Sequence, residues 1–125
     1  MADEQDNERA FTAARGGATE ELESLVTAGV PVDLSNEGGN TLLMLAAYHG
    51  HIETVRALVR LGANAGKANE GGQTPLAGAV FHDDDEIVNI LLDAGADPFA
   101  GQPSAVDTAR MFGREDLLAL FERNG

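Results

Sequence analysis

The 125-residue sequence predicts an all-α solenoid of stacked helix-turn-helix units joined by hairpin-like finger loops. Three observations predict it. A 33-residue step links Gly29, Gly62 and Gly95, and the same step links Ala13, Ala46 and Ala79, then Leu25, Leu58 and Leu91, then Glu20, Glu53 and Glu86. A fixed period of that length marks units that bury their apolar faces only against neighbouring units. The tetrapeptide Asn36-Glu37-Gly38-Gly39 returns intact as Asn69-Glu70-Gly71-Gly72, with Thr41 and Thr74 in step behind it. Finally, 43% of residues are apolar but only 5% are aromatic and none is Trp. A core of Ala, Leu and Val follows, and small side chains suit closely packed helices.

In chain order the units fall at about residues 5–33, 34–66, 67–99 and 100–125, within one domain spanning 1–125. The first unit is polar and keeps Leu22 and Leu25 ahead of Gly29. The second repeats that register as Val55, Leu58 and Gly62. In the third, Thr74 is a helix N-cap and Pro75 takes the first helical position, where a missing N–H costs nothing. A short apolar helix runs from there to about Phe81. Ile87, Val88, Leu91 and Leu92 then form a stripe at helical period, and Gly95 stands where a left-handed C-cap is wanted, before Pro98. The Gly38-Gly39 and Gly71-Gly72 pairs are expected to supply positive φ for tight turns. The fourth unit is shortened. Neither helix of a unit is long enough to stand alone, so both depend on stacking.

Charge narrows the function. There are 21 Asp plus Glu against 8 Lys plus Arg, a net charge of −13. Nucleic acids draw most of their affinity from cations on phosphates, so nucleic-acid binding is excluded as an expectation. An anionic membrane repels such a chain, and no apolar run approaches bilayer length. A protein partner is therefore expected to present a basic contact surface. Without Cys there are no disulfides, no thiolate catalysis and no Cys-type zinc site. The acidic N-terminal stretch is unlike a secretory signal, and a cytoplasmic monomer is the expectation.

Catalytic and cofactor motifs are absent, and neither an enzyme nor a cofactor is expected. Gly62-Ala63-Asn64-Ala65-Gly66-Lys67 has three residues between its glycines where a phosphate loop needs four, and no Ser or Thr follows Lys67. Ser24, Ser35 and Ser104 lack His and Asp partners at catalytic spacing. His49 and His51 flank Gly50 without a third zinc ligand. The densest oxygen cluster is His82-Asp83-Asp84-Asp85-Glu86, and a divalent-cation binder centred on Asp83–Glu86 is the alternative function. Against it, acids at a helix start are favoured by the macrodipole.

Thr74-Pro75-Leu76, Ala79, Ile87-Val88, Leu91-Leu92 and Gly95-Ala96-Asp97 resemble the ankyrin repeat. Thr41-Leu42-Leu43, Ala46-Ala47, Gly50-His51, Val55, Leu58 and Gly62-Ala63-Asn64 resemble a second copy. Residues 5–33, with Ala13-Ala14 and Gly17, and 100–125, with Ser104, Ala109 and Gly113, resemble terminal capping units. The sequence departs from the pattern in four respects. Met44 and Ala77 replace the usual His after Thr-Pro-Leu, Leu42 replaces Pro, Asp83 stands at a turn Gly position, and Gly78 lies inside a helix. The resemblance implies a non-catalytic protein-interaction module acting as adaptor, inhibitor or regulatory subunit. By position it implies a concave contact face carrying Glu37, Asn40, Glu70 and Gln73 on the fingers, with Tyr48, His49, Phe81, His82, Met111 and Phe112 at the ends of the first helices. Phe81 and Phe112 could equally tuck into the core between units.

Overall fold

The computed structural model describes residues 3–124, which form eight helices and, among the described residues, no extended strand. The helices are α1 (Glu4–Gly16), α2 (Thr19–Thr27), α3 (Leu42–Tyr48), α4 (Ile52–Arg60), α5 (Pro75–Phe81), α6 (Asp85–Asp93), α7 (Ala105–Met111) and α8 (Glu115–Asn124). They pair as α1–α2, α3–α4, α5–α6 and α7–α8. The odd-numbered helices form one row, α1 on α3, α3 on α5 and α5 on α7, while α2, α4 and α6 stack behind them.

Local chemistry explains where the odd helices begin. Thr41 and Thr74 each accept a hydrogen bond from the backbone N–H three residues on, at 3.1 Å. Ser104 does the same for Asp107, whose carboxylate accepts from the Ser104 N–H in return, a reciprocal capping box. The seven-residue helices α3, α5 and α7 are too short to persist alone. Their alanines, including Ala46, Ala47, Ala79, Ala105 and Ala109, are fully buried and let neighbouring helices approach closely. Behind them Leu22, Val55, Leu58, Ile87, Val88, Leu91 and Phe121 are closed off from solvent.

The turn between paired helices is left-handed in every unit, at Gly17, Gly50, Asp83 and Gly113. Asp83 adopts φ 59° there, a conformation that short polar side chains tolerate. At Gly17 a β-carbon would lie 2.6 Å from the His51 ring, whose Nε2 is 2.7 Å from the Arg15 carbonyl oxygen. The His51 side chain thus packs on the preceding unit.

The fingers correct one expectation. Only the second glycine of each pair, Gly39 and Gly72, has positive φ. The first is held instead by an asparagine: Asn36 Oδ1 accepts from the N–H groups of Gly38 and Asn40, and Asn69 Oδ1 from those of Gly71 and Gln73. Successive fingers are stitched by the Glu70 N–H to the Gly38 carbonyl, 3.0 Å, and the Gln102 N–H to the Gly72 carbonyl, 2.9 Å.

Candidate functional site

The angle between the fingers and the row of odd helices is a groove, and its far wall is aromatic. Tyr48 ends α3, Phe81 ends α5, and Met111 and Phe112 stand at the end of α7. These are 51%, 55%, 67% and 50% exposed, which places Phe81 and Phe112 on the surface rather than in the core. His49 and His82 are exposed beside them. The rings touch across units. Tyr48 meets His82 edge-on at 4.5 Å and His49 at 5.5 Å, Phe81 meets His82 at 5.3 Å, and Phe81 meets Phe112 at 5.7 Å. Edge-to-face spacing of this kind is favourable and fixes ring orientation. The result is one continuous aromatic strip from α3 to α7.

In front of the strip lies a cleft of 190 Å³ lined by Met44, Tyr48, Thr74, Gly78, Phe81 and Thr108, with Ala77, Gln73 and Pro103 completing it. Gly78 opens this space. A β-carbon built there would rest 3.9 Å from the Tyr48 ring, an ordinary contact, so packing does not demand glycine at this point. Gly78→Ala is therefore expected to stabilise the chain by about 0.5–1 kcal/mol through helix propensity. Thermal melting checks this, with a midpoint rise of roughly 2–6 °C.

A second, open cleft of 620 Å³ lies between α1 and the first finger, carrying Glu4, Glu8 and Glu37 against the single cation Arg15. Glu37 and Glu70 are exposed on their fingers, as is Gln73. Asn40 is half-buried, and its side-chain oxygen accepts from Asn69 at 2.8 Å. Among the described residues none of Glu4, Glu8, Glu37 and Glu70 forms an ion pair, whereas Arg9, Arg56, Arg60, Arg110 and Arg114 are all paired with carboxylates of this chain.

The acidic run at 83–86 is organised differently from a cation site. Arg114 reaches across from the last unit to Asp83 and to Asp85 at 2.8 Å, and also holds Asp116 of its own unit at 2.9 Å. These hydrogen bonds, to Asp116 first and then Asp85, push the guanidinium further above its ordinary pKa, and the bond from Arg114 holds the Asp116 carboxyl below the usual carboxylate range. Asp84 caps α6 through the Ile87 N–H, and Glu86 pairs with Arg56 at 2.6 Å. Among the described residues no three His, Asp or Glu side chains gather as a metal-holding group. Three of the run's four carboxylates are thus answered by arginines of the same chain, and the fourth caps a helix.

A family model described as "Ankyrin repeats (3 copies)" matches residues 10–101, more than half of the chain. The chain belongs to the ankyrin-repeat family. Ankyrin repeats are generally protein–protein interaction modules and typically non-catalytic. The matched ankyrin segment contains α2–α6 whole and stops short of α7 and α8, which complete the stack as a fourth pair. No curated protein matches the sequence. No described helix is long and apolar enough to cross a membrane.

Sequence reasoning did not place Met44, Gly78, Pro103 and Thr108 at the first cleft, nor Glu4 and Glu8 at the second. A signal existed for Gly78, because a glycine inside a seven-residue helix is a local cost. For Pro103 and Thr108 there was none, since they reach the cleft only through stacking of the last unit.

Proposed function

We propose that this ankyrin-repeat chain is a non-catalytic interaction module that binds a basic protein surface in the groove, acting by occupancy as an adaptor, inhibitor or regulatory subunit. The observation that carries this reading is the exposed aromatic strip Tyr48–His82–Phe81–Phe112, an apolar anchor surface in a chain whose finger carboxylates Glu37 and Glu70 are exposed and form no ion pair among the described residues. Aromatic anchors dominate the binding energy of most interfaces, and charge complementarity selects the partner and speeds encounter. We place the module in the cytoplasm as a monomer; the net charge of −13 opposes self-association.

The test is affinity capture from a lysate of the source organism beside a variant with Tyr48, His49, Phe81 and His82 all changed to Ala. A protein held by the natural chain should be lost by the variant, with affinity down at least about 100-fold. Equal retention by both would remove the aromatic strip from the contact. Sedimentation at several concentrations checks the monomer.

A further inference from the structure

We propose that the cleft at Gly78 is a socket for one apolar side chain, inserted by a basic segment of the protein partner. This rests on the groove being the contact face. The first argument is energetic. Gly78 weakens α5, the fold has room for a β-carbon there, and the visible consequence of the missing side chain is the open cleft. The second is size and lining. A cavity of about 150 Å³ walled by apolar groups accepts a benzene-sized guest. The 190 Å³ here, walled by Met44, Tyr48, Phe81 and Pro103, suits a single Leu, Met or Phe side chain. The third argument concerns charge. Glu37 and Glu70 are exposed on the fingers of the two middle units and, among the described residues, form no ion pair, while five arginines are held by carboxylates of their own chain. Residues flanking the inserted side chain are therefore Lys or Arg.

A phage-displayed library of random dodecapeptides, panned on the full chain, tests this directly. Enriched peptides should carry Lys or Arg around one Leu, Met or Phe, and synthetic copies should weaken as salt rises. Replacing that apolar residue by Ala should cost about tenfold or more in affinity, and so should Gly78→Leu, which fills the socket. The two losses should not add, because both remove the same contact. Leu is a better helix former than Gly, so Gly78→Leu should melt no lower than the natural chain. The peptide-side replacement reads the socket without any change to the protein. Peptides that bind Gly78→Leu unchanged, peptides lacking basic residues, or no enrichment would each overturn the proposal. So would dimerisation of the natural chain abolished by Gly78→Leu, which would make a second copy the occupant. If a captured partner is lost by the four-alanine variant but held by Gly78→Leu, the interaction module stands and the socket falls.

Discussion

Replacing Phe121 by Ala should lower the stability of the chain by about 3–5 kcal/mol, the range for deleting a buried aromatic. Phe121 is wholly buried in α8, and Leu117, one turn earlier, is nearly so. An interior unit of a solenoid is supported from both sides, but among the described residues α7 and α8 have a neighbouring pair on one side only. The last pair therefore depends on its own interior, where Phe121 is the largest fully buried side chain among the described residues. Against a total stability of roughly 5–15 kcal/mol, the loss should release α7 and α8 before the rest. Denaturant titration should show a lowered or split transition, and hydrogen exchange should accelerate first in 105–124. Since α7 and the residue after it supply Thr108 and Phe112, binding at the groove should fail with it. A loss under about 1 kcal/mol would mean that the last unit closes without its aromatic.

The 33-residue period reports what every unit must do alike. Leu58 and Leu91 are fully buried and Leu25 nearly so, and Thr41, Thr74 and Ser104 each cap a helix, because burial and capping are local demands repeated in register. Asp83 at a glycine position is left-handed, as the register requires. The period is silent about what differs between units, and the site is built from those differences. Tyr48 and His82 stand 34 positions apart, so their ring contact depends on how far one unit rotates on the next. Arg114 finds Asp83 and Asp85 from the following unit, which draws the acidic run into an ion-pair cluster that no spacing announces. The alternating aromatic and His residues were visible in the sequence; the cleft before them was not, because it is an absence of side chain at Gly78 bounded by three separate units.

Gly101→Ala should act with the opposite sign to Gly78→Ala, though both add one methyl group at the same groove. Gly101 has φ 92°, beyond the left-handed well that L-residues reach, and the strain costs about 1–2 kcal/mol. A β-carbon there would also lie 2.8 Å from the Gly72 carbonyl oxygen and 2.9 Å from Thr74 Cγ2. The first of these is backbone and can yield only if the second finger moves. That movement breaks the bond from the Gln102 N–H to the same Gly72 oxygen, worth about another 1 kcal/mol, and displaces Thr74 from its capping position. A total loss of about 3 kcal/mol is expected, read as a fall in the denaturation midpoint at unchanged slope. Pro103 and Thr74 both wall the cleft, so affinity for a peptide seated there should fall as well, even under conditions where the variant is fully folded. Gly78, by contrast, has φ in the helical range and an ordinary 3.9 Å neighbour, so the same methyl group strengthens its helix. Equal and small effects at the two positions would show that the fingers slide freely on one another, and that the groove wall is softer than the stitched backbone requires.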